Sequence, residues 1–403
     1  MLLISLLACT AVGPGPPPEA PEVLPEAPST DDTGDRFEPE FFDDAVVHDI
    51  AFTLSSDAVR DLGRRPDEYV EGAVTVDGAS FARVGVRLRG KIGSFRDLDG
   101  KPKFKIDFNR FVEDQQLGAH ETLALNNAVV DCSFLREPLG YAVFRALGLP
   151  APRTVYTNVS VNGEPYGLYV GVEFPDDAFL EDRYAEPDGN LYDGKYLYFD
   201  NGSYALVDFT TELAGNFTLE EGQDVASADI YAIRDAVYAE GTFDARFGGL
   251  LDLASFHRHI AAEQWMGHLD GYALNTNNYR VYFDPADGLA DLLVYDLDYG
   301  FYDPSLWGMS WGAPRGVLAG QCFADAACAA AHAAAVADVV ATLDTDALVA
   351  QVDTWTTLID DAAREDPRRE CPRRSIAGSQ AEVRAWAANG SANLAAYWGV
   401  GAR

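Results

Sequence analysis

In the first half of the chain apolar residues tend to alternate with polar ones, and in the second half they recur every three or four residues. Val46–Leu54 and Val70–Val76 read as strands around a short helix near Ser56–Leu62. Ala82–Arg89 places Val84, Val86 and Leu88 on one face and Arg83, Gly85, Arg87 and Arg89 on the other, the period of a half-buried strand. Lys103–Phe108 repeats this, with Phe104, Ile106 and Phe108 opposite Lys103, Lys105 and Asp107. The two strands are expected to present Arg87, Arg89, Lys103 and Lys105 as a charged face. The turn between them, Gly90–Gly100, could wrap a phosphate with backbone N–H groups.

Ser133–Leu147 has helical spacing and stops at Gly148 and Pro150. A hairpin follows, Thr154–Val161 with Tyr166–Phe174, turned at Asn162-Gly163. Aromatic-rich Tyr192–Val207 predicts another. Helices are expected at Ala226–Ala239, Leu253–Leu269, Ala326–Leu343, Val349–Ala363 and Gln380–Trp398, interrupted by a strand pair, Tyr279–Phe283 with Leu292–Tyr295. There is no internal repeat. The pattern is α+β, β-rich over residues 41–180 and mostly helical over 181–403, which suggests two lobes and a cleft.

Charge sharpens this picture. The chain of 403 residues has a formal net charge of −34, with 64 Asp and Glu against 30 Lys and Arg. That balance argues against nucleic acid or an anionic membrane surface as partner. Only five lysines occur, and Lys91, Lys101, Lys103 and Lys105 fall close together beside Arg87, Arg89 and Arg96. An acidic protein that gathers its ammonium groups in one place has the means to hold an anion there. Much later come Asp270, Asn277, Asn278 and the run Tyr295-Asp296-Leu297-Asp298, carboxylates and carboxamides suited to Mg²⁺. A cationic glycine turn followed by an acidic metal-binding set is the division of labour of phosphoryl transfer. The plainer reading is a solvated basic hairpin and Asn/Asp turns that satisfy their own backbone.

At the N-terminus, Leu2–Ala8 is apolar and Leu6-Leu7-Ala8-Cys9 has the form of a lipobox, so residues 1–8 are expected to be a lipoprotein signal peptide and Cys9 the lipidated residue. Pro-rich residues 9–40 lack the apolar side chains to offset their ordering entropy and are expected to form an extended tether to residues 41–403. Four cysteines remain, an even count that favours disulfides in an exported protein. Cys322 and Cys328 are the expected bridge, and Cys132 and Cys371 are left over. None has the spacing of a zinc site.

Six motifs follow one another along the chain: Arg87-Leu88-Arg89-Gly90, Lys103-Phe104-Lys105-Ile106, Leu135-Arg136-Glu137 with Leu147-Gly148-Leu149-Pro150, Asn162-Gly163-Glu164, Asn277-Asn278-Tyr279 and Tyr295-Asp296-Leu297-Asp298. In them residues 84–300 resemble the CotH family, the spore-coat protein H-like atypical protein kinases. It implies a bilobal protein kinase-like fold and transfer of the γ-phosphoryl group of ATP, with Mg²⁺ or Mn²⁺, to Ser or Thr of an exported protein. Lys105 would pair the α/β-phosphates and Asp270 would be the catalytic Asp. Asn278 and Asp296 would bind metal, with Asp298 shaping the loop or joining a second ion. Arg87, Arg89, Gly90 and Lys103 would contact phosphates. The Glu partner of Lys105 is left open: Glu137 sits on the first long helix, where such a residue belongs, and Glu173 ends a strand and could border the adenine. Asn277 stands where the family has His, and the loop from Asp270 to Asn278 is longer than in ordinary protein kinases, which makes Asn275 an alternative ligand. The rival class is a kinase-shaped surface protein, adhesin or scaffold, that has lost catalysis.

Two other patterns carry less. Gly308-Met309-Ser310-Trp311-Gly312, with Asp325 and His332 after it, fits a nucleophile elbow in letters, but Pro304 and Pro314 flank it where a strand and a helix are needed. His257, His259 and His268 share one helix. Among them only His259 has an acid four residues on, Glu263, and that pair reads as surface while Phe256, Ile260, Trp265 and Leu269 read as core.

Overall fold

The computed structural model describes residues 41–91, 93–194, 197–198 and 204–401. The expected signal peptide, Cys9 and the tether lie outside the described residues. Seven strands close a barrel: β1 (Val47–Thr53), β2 (Val70–Val76), β3 (Ala79–Arg89), β4 (Lys103–Asp107), β5 (Thr122–Asn126), β6 (Thr154–Val161) and β7 (Glu164–Glu173). Neighbours run antiparallel except β1 and β6, whose parallel register from Val47↔Tyr156 to Phe52↔Val161 shuts the sheet on itself. Closure removes exposed strand edges. The interior is the apolar face that alternation predicts: Val84, Val86, Leu88, Phe104 and Ile106 are buried, and Phe52 stacks on Phe104 at 4.7 Å.

A second sheet has the order β11-β8-β12-β13, built from β8 (Asn190–Gly194), β11 (Phe217–Glu221), β12 (Tyr279–Phe283) and β13 (Ala290–Val294). The hairpin expected over Tyr192–Val207 is therefore divided. Tyr192 belongs to β8, which pairs with β11 and β12, and among the described residues only β9 (Leu197–Tyr198) and β10 (Tyr204–Ala205) pair locally.

The helices are α1 (Ser56–Arg64), α2 (Arg136–Ala146), α3 (Asp177–Arg183), α4 (Ala228–Val237), α5 (Phe243–Phe247), α6 (Leu253–Met266), α7 (Tyr272–Asn275), α8 (Val317–Ala324), α9 (Ala326–Thr342), α10 (Thr345–Glu365) and α11 (Arg373–Trp398). The sequence-expected starts of α10 and α11 fall several residues late, because their first turns are too polar to show the period. Helix α6 is enclosed, with Phe256, Ile260 and Trp265 buried as expected. His259 and Glu263, expected at the surface, are buried too, at 1% and 0% exposure. Helices α2, α9 and α11 pack around α6, so even its polar positions meet protein. Disulfides join Cys322 to Cys328, between α8 and α9, and Cys132 to Cys371. Among the described residues no single helix is long and apolar enough to cross a membrane.

The elbow residues are not assembled. Ser310 Oγ lies 3.2 Å from the Tyr397 hydroxyl, Asp325 caps α9, and buried His332 meets Gln264 Oε1 at 3.2 Å.

Candidate active site

The β12–β13 hairpin sets the geometry. Its register pairs Tyr279 with Val294, and the Asn278 carbonyl accepts the Tyr295 N–H at 3.1 Å. The residues just beyond each strand, Asn278 and Asp296, thus lie close together. Both have left-handed backbones, φ 51° and 46°. Asn and Asp tolerate that conformation better than other non-glycine residues, and such strain gathers at functional sites. From α2, the Tyr141 hydroxyl accepts the Asp296 N–H at 2.9 Å.

Beneath this loop lies Lys103. Its Nζ is 3.0 Å from Asp296 Oδ2 and 3.0 Å from Asp298 Oδ2. Glu137 lies near the same group, and its two oxygens accept from Asn126 Nδ2 at 2.6 and 2.8 Å. Burial works against the Lys103 ammonium, yet Asp296, Asp298 and Glu137 outweigh it and hold its pKa well above the ordinary lysine value. Burial and the Asp296 charge push Glu137 up to about 8 and Asp298 up to about 7. Asp296 goes the other way: burial opposes its charge, but Lys103 and Arg89 hold it below the usual carboxylate range. The three carboxylates thus compete for too little positive charge.

Arg89 completes the cluster. It donates to the Tyr295 hydroxyl and, at 3.3 Å, to Asn126 Oδ1. Arg136 of α2 donates to the Asp298 carbonyl at 3.1 Å and to the Tyr302 hydroxyl at 2.6 Å.

Asp270 stands between α6 and α7. Its carboxylate accepts from the carboxamides of Asn275 at 2.6 Å and of Asn277 and Asn278 at 3.0 Å each. Burial raises its pKa against those bonds. The support for this loop is Glu263, whose buried carboxylate accepts the N–H groups of Tyr272 at 2.8 Å and Ala273 at 2.9 Å. His259 and His268 flank it at 3.5 and 3.8 Å. Burial would raise Glu263, but these partners bring it down to about 2. Gly271 is required here, since a Cβ would come within 2.3 Å of Glu263 Oε1.

A cleft of about 690 Å³ joins these parts, lined by Arg87, Arg89, Gly90 and Lys91 on one side and by Asp270, Asn278, Asp296 and Asp298 on the other. Four expected contacts are not among the lining residues. Lys103 is buried under the two aspartates, and Glu137 beside it. Glu173 is fully buried and clamped by Arg153 at 2.7 Å and Arg183 at 2.6 Å, so it does not border a base. Lys105 lies over the Phe174 ring at 3.4 Å. Burial, then Arg87, Arg280 and Arg89, push Lys105 down to about 7. The two lysines of the charged face are therefore covered while its arginines line the cleft, and Lys103, not Lys105, meets Asp296 and Asp298. The residues missed in the sequence are supports: Asn126, Arg136, Tyr141 and Glu263. Of these Glu263 left a signal, an acid inside an otherwise apolar helical stripe, and Arg136 stood within the Leu135-Arg136-Glu137 motif with no role assigned to it.

Residues 86–389 match the family described as CotH kinase protein. The chain belongs to the CotH kinase protein family. Two relatives come from Bacillus subtilis (strain 168). Inner spore coat protein H is 25% identical over 191 residues, 45% of this chain and 50% of that protein. Inner spore coat protein H-like protein is 32% identical over 78 residues, 19% and 24% of the two chains. The chain thus spans half or less of these CotH relatives. Two solved structures overlap it loosely. The Helicobacter pylori proinflammatory kinase CtkA covers 68% of this chain and 92% of its own, at 9% identity and a TM-score of 0.28. The HipA, HipB and operator DNA complex of Shewanella oneidensis MR-1 covers 87% and 72%, at 11% identity and a TM-score of 0.32. At these scores neither overlap carries an argument about the CotH site.

Proposed function

We propose that this CotH protein is an ATP-dependent kinase with a bilobal kinase-like fold, passing the γ-phosphoryl group to Ser or Thr of an exported protein. The observation that supports it most is Lys103 held between Asp296 and Asp298 beneath a cleft whose opposite wall is Arg87, Arg89 and Gly90. In this reading Lys103, not Lys105, is the lysine that serves the nucleotide site, because it alone of the two holds the metal-binding acids Asp296 and Asp298 from beneath. Arg87 and Arg89 face the phosphates. Asp270, fixed by Glu263 through α7 and oriented by three carboxamides, accepts the proton of the attacking hydroxyl.

The donor set fits Mg²⁺ or Mn²⁺. Asn278, Asp296 and Asp298 offer hard oxygens, and the crowding of Asp296, Asp298 and Glu137 around Lys103 supports a cation there. A bound ion would neutralise phosphate charge there. The two disulfides suit an oxidising compartment, which supports export, with Cys9 as lipid anchor.

Two observations favour the inactive reading: both Asp270 oxygens already accept carboxamide bonds, and Asn277 replaces the His of the family pattern. The deciding experiment incubates the full chain with γ-labelled ATP and Mg²⁺ or Mn²⁺. Label on Ser or Thr, lost in Asp270→Asn, is expected. Metal-dependent ATP binding with no transfer would favour the binding-protein alternative, and no ATP binding at all would overturn the kinase reading.

A further inference from the structure

The turn that borders the cleft is gripped from behind. Between α10 and α11, residues 366–371 cross its outer side. Asp366 is 1% exposed; its Oδ2 takes the Lys101 ammonium at 2.6 Å and the Leu168 N–H at 3.2 Å. Gly167 makes room for it, since a Cβ there would come within 2.1 Å of Asp366 Oδ1. Arg368 donates to the carbonyls of Leu98, at 2.7 Å, and Gly100, and lies 3.5 Å over the Tyr166 ring. Glu370 holds the Arg96 guanidinium through both oxygens. Arg96 in turn donates to the carbonyls of Gly93 at 3.1 Å and Phe95 at 2.6 Å. Asn127 donates to the carbonyls of Ser94 at 3.0 Å and Lys101 at 2.6 Å. Six carbonyls between Gly93 and Lys101 are therefore fixed by side chains, four of them through Arg368 and the Glu370-held Arg96 from the 366–371 side. The next residue, Cys371, is bonded to Cys132. Cys132 lies beside Asp131, which accepts the Arg136 N–H at 3.0 Å, and Arg136 reaches Asp298.

We infer that residues 366–371 are a strap that fixes the turn of the cleft, and that the Cys132–Cys371 bond latches it, so nucleotide affinity depends on whether that bond is intact. The nucleotide part rests on the reading of the cleft given above; the strap itself does not. One bond ties the turn to the start of α2, whose Arg136 and Glu137 support the acidic side. Both cysteines are half-buried, so a dithiol can reach them, whereas Cys322 and Cys328 are enclosed. Reduction delivers two electrons and two protons, breaks the S–S bond into two thiols, and closes the dithiol into its own disulfide.

The test compares the full chain with C132A/C371A, with C322A/C328A as control and R368A as a second route to the same loosening. Two quantities are read: Kd for Mg²⁺-ATP by titration calorimetry, and hydrogen exchange of the amides of residues 93–101. The expected result is a Kd about tenfold higher in C132A/C371A and in R368A, with faster exchange confined to the turn and the strap. Dithiol treatment should reproduce this in the wild type and add nothing in C132A/C371A. The control should move neither reading. Unchanged Kd and exchange in both variants overturn the strap, and so does an equal change in the control, which would mean general loosening. If the wild type binds no nucleotide, the reading of the cleft fails, and exchange alone then decides: protection of residues 93–101 that survives in both variants overturns the strap.

Discussion

The Lys103 ammonium lies 3.0 Å from the Asp298 carboxylate, an ion pair that joins β4 to a loop 195 residues further along. Both side chains are buried, at 1% and 5% exposure. Removing one partner of such a pair leaves the other charge uncompensated, at a cost of roughly 3–5 kcal/mol. Lys103→Met should lose about that much stability and all measurable nucleotide binding. Lys105→Met should melt at the wild-type temperature or above, because it removes a buried cation that faces three arginines, and should bind ATP within about threefold of wild type. Thermal melts and calorimetric titration of the two variants check this. Equal loss of binding in both would mean that Lys105 serves the nucleotide site as much as Lys103 does.

Asp270→Asn keeps the size of the side chain and changes its basicity. ATP affinity should stay within about twofold, while transfer falls by roughly 10²–10⁴. Single-turnover transfer of labelled phosphate, with binding measured separately, gives both numbers. Wild-type turnover in this variant would remove Asp270 from the chemistry.

Glu263→Gln places an amide NH₂ where one of the α7 N–H groups needs an acceptor. The variant should lose about 2–4 kcal/mol in urea unfolding and should lower kcat more than it raises KM, since Glu263 acts through the Asp270 loop. A variant with wild-type stability and wild-type kcat would leave Glu263 without a positioning role.

The alternation of Val84, Val86 and Leu88 and of Phe104, Ile106 and Phe108 was legible because a period of two is a local property of a strand. The fate of the opposite face was not. Whether Lys103 meets water or Asp298 depends on a loop that only the fold brings near, and period two says nothing about it. The same holds for Glu263 and His259, which read as an exposed helical pair until α2, α9 and α11 cover them. Barrel closure through β1 and β6 also left no local sign, since a parallel pairing between distant strands has no turn to announce it. The acids of the site were legible by type and spacing; their supports, Asn126 and Tyr141, were ordinary residues of a strand and a helix.

His332 gives the pH dependence of stability a sign. Burial, then His257, hold its pKa down to about 3, against 6.5 in the unfolded chain. Between those values the unfolded state binds more protons, so the contribution is complete above pH 6.5 and is lost as pH falls toward 3. At pH 4.5 the loss is about 2–3 kcal/mol. Wild-type stability in urea should therefore drop more steeply from pH 6.5 to 4.5 than that of His332→Leu, which keeps the Trp398 bond to Gln264. Identical slopes would mean that His332 is protonated in the folded protein.

The left-handed backbones at Asn278 and Asp296 act as a filter on composition. Glycine, asparagine and aspartate bear that geometry best, and only the last two bring an oxygen. Whatever lineage of substitutions led here, the loop could accept few residues that were not already ligands for a hard cation. Charge can be traded between the two positions, as Asn278→Asp with Asp296→Asn, without bending the loop. An alanine at either position would confuse a lost ligand with a strained turn, and a glycine would separate them.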